Sequence, residues 1–429
     1  MKLFQQMLVA GASVSLLAPI AAQASDVVNL EEMSSYSRST KKKSSRFDSS
    51  TFTNKVSEDL ANLKGRVDGL EAKQNVFEAG SFTDTTTMDG KAIMWIGGVD
   101  GGDNLGGVET IGTGYTYTMN LNTSFTGDDN LYVRLKAGEN APQWKVKETY
   151  HIDTKDTSDA FKLDKMWYTL PIGDNFTAIA GPRIENYYMY ITPSIYKPGA
   201  LKSFKLGGNS NFGASTDVGF GLKFETEGGF GIATNIVDKS ADSDTGLFAD
   251  GTSKWDTQIA YTKDRYHVSA TLSDAQNWTS QSYNATALGA GMKGSTGDTT
   301  GYAFRGYWMP EESGTAVPEI SVGYDIKSAD ESASGAAKEA SSYMVGLTWK
   351  DMFQADDRIG LAFTQPLKVT ECNGTCTSTE VDPLVWEAYY SFKPNDSMEV
   401  RPAIFGGTDV ENSTEDDIFG AVLTTSFKF

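Results

Sequence analysis

Two side chains suited to nucleophilic catalysis, His267 and Ser269, lie two positions apart in the chain. Alternate residues of a strand point to the same face, so this spacing would bring an imidazole beside a hydroxyl. A hydrolase needs such a pair together with a group that orients the base. Tyr266 and Val268 form an apolar set on the other face, and the sequence has no G-x-S-x-G elbow. The sequence therefore predicts no catalytic site, and a hydrolase is the most distant alternative.

Charged side chains in an irregular stretch form a second candidate site. Residues 183–211 are rich in tyrosine and proline and include Arg183, Glu185 and Lys197. If this stretch folds as a loop into a channel, these three charges would lie near its narrowest point and set its selectivity. The alternative is that each charge pairs on a wall or faces outward.

Cys372 and Cys376 are the chain's two cysteines, and they form the motif C-N-G-T-C. Outside the cytoplasm, the first interpretation is a disulfide that closes a tight loop. Two thiols without a nearby histidine make a poor zinc site. We therefore predict a local structural role for the cysteines, and neither a metal nor another cofactor for the chain.

The start of the chain has the pattern of an exported protein. Residues 1–24 combine Lys2, an apolar core and an A-x-A cleavage site that ends at Ala24, which predicts a signal peptide. Residues 25–51 are rich in serine and lysine and are interpreted as a disordered linker. The net charge of −19 makes nucleic acid an improbable partner.

A heptad pattern follows within residues 52–78. Apolar residues recur at alternating four- and three-residue steps, namely Val56, Leu60, Leu63, Val67, Leu70 and Phe77. This spacing predicts a short coiled-coil helix that would set the number of subunits. The alternative is a single amphipathic helix that lies on the following domain.

Residues 79–429 alternate between apolar and polar side chains in many short segments. Residues 113–126 are one example, with tyrosine, methionine and leucine on one face and threonine and asparagine on the other. About sixteen to eighteen such segments are separated by turn residues and polar loops. The last segment places Phe427 and Phe429 on its apolar face, and a chain-terminal strand of this kind can close a barrel by pairing with the first strand.

A soluble sandwich would also alternate, but its core would not tolerate the charges found on the polar faces here. Aromatic residues at segment ends, export and the terminal aromatic strand favour a transmembrane antiparallel β-barrel of about 16 strands. A barrel of that size has a water-filled lumen, into which His267 and Ser269 would point. The acidic balance of the chain predicts a mild preference for cations. A non-conducting adhesin or receptor barrel is the main alternative.

Several segments of the chain resemble cyanobacterial outer-membrane porins, relatives of the carbohydrate-selective porin family. They are residues 62–72, 179–183, 342–366 (S-Y-M-V-G-L-T-W-K-D-M-F-Q-A-D-D-R-I-G-L-A-F-T-Q-P), 384–390, 401–405 and the terminal T-T-S-F-K-F. No single motif is sufficient, but together they extend over about residues 60 to 429.

This resemblance implies a trimeric porin in outer-membrane lipid, where small hydrophilic solutes such as sugars, ions and other nutrients diffuse to the periplasm. The terminal strand with Phe427 and Phe429 would be the part that the barrel-assembly machinery recognises. Such porins usually carry a surface-layer-homology domain before the coil, and residues 25–51 are too short for one. Contact with peptidoglycan or the cell wall is therefore left open.

Overall fold

The computed structural model divides the chain into two compact units, residues 1–84 and residues 85–429. It describes residues 63–67, 83, 85–101, 110–141, 144, 150–208, 211, 216–239, 247, 251–279, 284–292, 297–376, 381–409 and 417–429. In the first unit residues 63–67 are helical, and they belong to the predicted heptad segment. The rest of that segment, the predicted signal peptide and the linker lie outside the described residues.

Sixteen antiparallel strands form the second unit. They are β1 (Thr86–Asp100), β2 (Gly112–Thr123), β3 (Asn130–Asn140), β4 (Lys162–Ile172), β5 (Phe176–Ile184), β6 (Asp217–Glu225), β7 (Phe230–Asp238), β8 (Ser253–Lys263), β9 (Tyr266–Gln276), β10 (Asp298–Trp308), β11 (Glu319–Ala329), β12 (Ala337–Lys350), β13 (Arg358–Cys372), β14 (Leu384–Asn395), β15 (Met398–Thr408) and β16 (Ile418–Lys428). Short 3-10 helices at Asn186–Met189 and Lys202–Gly208 and one helical turn at Ala287–Ala290 lie in the connections.

Each strand pairs with its neighbours in the chain, and β1 also pairs with β16 to close the barrel. Met94 of β1, for example, lies opposite Tyr115 of β2 and opposite Thr425 of β16. Beyond β16, Phe429 exchanges backbone hydrogen bonds of 2.9 and 3.2 Å with Gly90. The predicted antiparallel barrel of about 16 strands is confirmed, with the terminal strand as its closing strand. Closure pairs the backbone groups that an open sheet would leave at its two edges.

The outer face of the barrel is apolar around its circumference. In β9 the side chain of Val268 is 58% exposed, whereas His267 and Ser269 on either side of it are buried. Large apolar residues are exposed in the same way on most strands, among them Met94, Phe220, Leu222, Phe230, Trp255, Ile259, Leu272, Phe304, Val322, Val345, Phe363, Ile404 and Phe419. An apolar exterior around a polar interior is the pattern of barrels that are surrounded by lipid. None of the helices in the described residues is long and apolar enough to cross a membrane.

The two ends of the barrel differ in the length of their connections. Short turns, such as residues 264–265 and 396–397, lie at the same end as Gly90 and Phe429. Longer connections lie at the opposite end, among them residues 141–161 and 185–216. Outer-membrane barrels have this asymmetry, with short periplasmic turns and longer external loops. Residues 185–216, the longest connection, and residues 141–161 build the candidate site.

Candidate functional site

The described residues of the connection from β5 to β6, which are 185–208, 211 and 216, turn inward and reach the opposite wall of the barrel; we call them the crossing loop. The Nδ2 of Asn186 donates to Asp256 of β8 at 2.8 Å. The backbone N–H of Tyr196 donates to Ser321 of β11 at 3.2 Å. Contacts with strands this far from β5 place the loop inside the barrel, where it narrows the lumen.

Glu387 of β14 holds the centre of the crossing loop. One carboxylate oxygen accepts the N–H of Gly199 at 2.7 Å and the hydroxyl of Tyr196 at 2.9 Å. The other oxygen accepts the N–H groups of Ala200 and Leu201, both at 2.9 Å. Glu387 is fully buried. Four donors aimed at one buried carboxylate fix this part of the loop to the wall, because hydrogen bonds to ionised groups are the stronger ones.

A buried ion pair holds the end of the same loop. Arg305 of β10 donates to Asp325 of β11 at 2.8 Å, and its Nε donates to the carbonyl of Leu206 at 2.8 Å. Gly207 has a φ of +72°, and a Cβ at this position would come within 2.7 Å of the Arg305 side chain. Both the backbone conformation and the close approach therefore require glycine here.

The described residues of the connection from β3 to β4, which are 141, 144 and 150–161, also fold inward; we call them the companion loop. The N–H of Ile152 donates to the carbonyl of Ala200 at 2.7 Å, which joins the two loops. The ring of His151 stacks on Trp95 of β1 with 4.6 Å between ring centroids. Asp153 lies within 2.9 Å of Arg401 on β15 and 3.6 Å of Lys91 on β1. The companion loop is therefore held against β1 and β15, the strands on either side of β16.

Two water-accessible cavities border these loops near the end with the short turns. The larger, of about 490 Å³, lies between residues 192–197 of the crossing loop and the ends of β11, β12 and β13. The smaller, of about 190 Å³, is lined by β1, β13, β15 and β16 together with Lys197 and Asp153. Lys197 and Arg358 line both cavities. The loops thus narrow the lumen and leave water-accessible spaces lined by charged side chains.

The three charges that the sequence suggested for a constriction lie in different places. Lys197 lies on the crossing loop and lines both cavities. Glu185 begins the same loop and forms a 2.6 Å ion pair with Lys165 of β4. Burial opposes ionisation of Glu185, but Lys205 and Lys165 outweigh it and lower the pKa of that carboxyl. Arg183 is an exposed residue of β5 and forms no ion pair within the described part of the chain.

Cys372 and Cys376 are joined by a disulfide at the end of β13. Phe427 and Phe429 are exposed beside the seam between β16 and β1. Among the described residues, no group of histidine, cysteine, aspartate and glutamate is arranged to hold a metal ion.

His267 and Ser269, the pair considered for nucleophilic catalysis, lie on the inner face of β9, as the alternation of apolar and polar residues predicted. The Nε2 of His267 lies 3.0 Å from the Oγ of Ser269. Its Nδ1 is 2.7 Å from the hydroxyl of Thr262, and its ring stacks on Tyr307. The orienting partner of the imidazole is thus a neutral hydroxyl, where a hydrolytic triad has a carboxylate.

The buried imidazole of His151 predicts how acid pH affects the stability of the barrel. Burial lowers its pKa to about 3, with Asp153 opposing and Arg401 and Lys202 adding to the shift. The folded imidazole is therefore neutral, while in the unfolded chain its pKa is about 6.5. Its contribution to stability is complete above about pH 6.5 and is lost as the pH falls toward 3. We expect the heat stability of the barrel to fall less steeply with acid in His151→Phe, which keeps a stacked ring that cannot titrate.

The measurement for His151 is the temperature of half unfolding between about pH 7 and pH 4, followed by the mobility shift of heated barrels on gels. Other acid-sensitive groups act equally in both proteins, so the difference between the two slopes isolates His151. Identical slopes would contradict the prediction.

No model of a known protein family matches the chain. An uncharacterized protein of Nostoc sp. is 24% identical over 417 residues, which cover 87% of this chain and 70% of the relative. An uncharacterized protein of Synechocystis sp. is 25% identical over 409 residues, which cover 86% of this chain and 74% of the relative. The sequence comparison thus joins the chain to cyanobacterial proteins whose names assign no function.

Several solved structures resemble the barrel in fold, at lower sequence identity. OprB of Pseudomonas putida superposes with a TM-score of 0.57 at 11% identity, over 80% of this chain and 94% of its own. The anion-selective porin of Comamonas acidovorans superposes with a TM-score of 0.53 at 9% identity, over 80% of this chain and 99% of its own. Salmonella typhi OmpF superposes with a TM-score of 0.51 at 13% identity, over 80% of this chain and 97% of its own. The barrel therefore has the fold of outer-membrane porins.

Proposed function

We propose that this chain is an outer-membrane porin, a water-filled channel for the passive diffusion of small hydrophilic solutes into the periplasm. The observation that carries the proposal is a closed barrel with an apolar exterior and a charged interior that a loop narrows. A lumen with polar walls holds water, and solutes that fit through its narrowest part cross without an energy source. Sugars, inorganic ions and other small nutrients are the solutes in question, and no cofactor is required.

The constriction lies where the crossing loop meets the far wall. Lys197 is the best supported of the three predicted charges, because it borders both cavities at this level. Glu185 contributes through its pair with Lys165, at the start of the loop. Arg183 is exposed and remains a proposal from the sequence alone. Size exclusion by the loop and the charges beside it together set which solutes pass.

Export by the signal peptide at residues 1–24 and insertion through the terminal strand, recognised by the barrel-assembly machinery, complete the proposal. The heptad pattern in residues 52–78 supports an oligomer. The resemblance to cyanobacterial outer-membrane porins implies that the oligomer is a homotrimer. The Ser- and Lys-rich residues 25–51 offer only a short basic segment for contact with the cell wall.

Single insertions into a planar bilayer test the porin directly. We expect conductance in discrete steps that close in threes, since each subunit of a trimer has its own lumen. Sugars added during the recording should block the current if the channel binds carbohydrate. A folded, heat-modifiable barrel that gives no conductance would overturn the proposal and favour a non-conducting adhesin or receptor.

A further inference from the structure

Basic side chains from five separate segments converge on the smaller cavity. They are Lys91 of β1, Lys197 of the crossing loop, Arg358 of β13, Arg401 of β15 and Lys428 of β16. The same cavity has two carboxylates, Asp153 and Glu399. We refer to these five basic residues as the basic cluster.

The two carboxylates are already engaged within the cluster. Asp153 lies 2.9 Å from Arg401 and 3.6 Å from Lys91. Glu399 lies 3.8 Å from Arg401 and accepts the hydroxyl of Ser391 at 2.9 Å. Among the described residues, Lys197, Arg358 and Lys428 have no carboxylate within ion-pair distance. The cavity therefore has an excess of positive charge.

The strand register also places like charges opposite each other at this cavity and beside it. Lys91 lies directly across from Lys428 in the pairing of β1 with β16. Arg358 lies directly across from Lys350, whose partner is Glu319 at 2.5 Å. Like charges in directly opposed positions destabilise a sheet. Such an arrangement lowers the stability of the barrel, and an anion bound between the side chains would reduce the repulsion between them.

The pKa of Lys197 reflects this crowding of positive charge. Its pKa is lowered, first by burial and then by Arg358 and Lys350, with Glu399 opposing and Lys428 adding to the effect. Lys202, farther along the crossing loop, has its pKa lowered to about 7 by burial and by Lys205 and Lys136. The neighbours that lower these two pKa values are mostly basic, so basic groups crowd the crossing loop beyond the cluster as well.

We propose that the basic cluster is a binding site for small anions, such as sulfate, phosphate or carboxylates, and that it makes the lumen selective for anions. The larger cavity shares Lys197 and Arg358 with it but is also lined by four carboxylates, so of these two spaces the smaller one has the excess of positive charge. Selectivity depends on the local charge at the narrow part of a channel. The net charge of −19 belongs to the whole chain, and it predicted the opposite preference.

This inference rests on the proposed porin function, and the zero-current potential across a KCl gradient tests it. In dilute salt, where charges are less screened, we expect the permeability to chloride to exceed that to potassium by at least about threefold. The triple variant Lys197→Gln, Arg358→Gln, Lys428→Gln should bring the ratio to about one or below. Lys338→Gln is the matched control, because Lys338 is exposed and pairs with Glu371. It should leave the ratio unchanged.

Binding is measured separately from conduction. Sulfate should raise the unfolding temperature of the wild-type barrel above its value in chloride of equal ionic strength, because a ligand stabilises the state that binds it. The triple variant should lose this shift.

A conducting wild-type channel that prefers cations would overturn the anion proposal and leave the porin intact. The same follows if the triple variant keeps the wild-type ratio and the sulfate shift. If folded protein gives no conductance, the porin proposal itself is overturned. The change in unfolding temperature that sulfate causes would then decide for or against the anion site.

Discussion

Glu387→Ala is expected to release the crossing loop and to raise single-channel conductance, by about twofold if the loop leaves the lumen. The substitution removes the acceptor for three backbone N–H groups and for the hydroxyl of Tyr196. Hydrogen bonds to a charged group contribute about 1.5–3 kcal/mol each, and buried donors left without a partner add a further penalty. Water entering the lumen would satisfy those donors once the loop has moved away.

A second readout follows the loop itself. Trypsin should cut folded Glu387→Ala after Lys202 or Lys205, where the wild-type loop is held against the wall. Glu387→Gln keeps the shape and one acceptor oxygen, so its conductance and cleavage should lie between those of the other two proteins. Glu371→Ala removes an exposed carboxylate that pairs with Lys338 and should change neither. A Glu387→Ala channel with wild-type conductance and a protected loop would show that the loop is held by other contacts.

The barrel could be predicted from the sequence because each strand carries its own signal. Outward apolar residues such as Tyr266, Val268 and Leu272 alternate with inward polar residues. This period of two indicates a strand with one face toward lipid and the other toward the lumen. The last strand alone left an ordinary open sheet possible, and the charges on the polar faces, which a packed core would not tolerate, favoured closure. Both inferences use only local spacing.

The site depends on contacts that local spacing does not contain. Alternation in L-V-W-E-A-Y-Y places Glu387 on the inner face, but its partner Tyr196 lies 191 residues earlier in the chain. Arg183 was expected beside Glu185 and Lys197, yet the pairing of β5 with β6 shifts register between Gly181 and Ile184. Irregularities of this kind change which face a residue occupies, and a regular count of two cannot follow them. The charges of the basic cluster likewise meet only after the barrel has closed.

Arg305→Met is expected to destabilise the folded barrel by about 3–5 kcal/mol, because it leaves the carboxylate of Asp325 buried without its charged partner. The side chains of both residues are at most 1% exposed, and the 2.8 Å contact joins β10 to β11. Loss of the guanidinium also removes the donor to the Leu206 carbonyl, so the end of the crossing loop should loosen as well.

The free energy of unfolding in urea and the temperature of the gel mobility shift measure this effect. Arg265→Met is the matched control, since Arg265 and its partner Glu311 are 43% and 85% exposed and such pairs contribute about 0–1 kcal/mol. The double variant Arg305→Met, Asp325→Leu should recover much of the lost free energy of unfolding, because no unpaired charge remains buried in the barrel. If Arg305→Met is as stable as Arg265→Met, water must already reach Asp325. The lumen would then be wetter at this level than the contacts of the crossing loop imply.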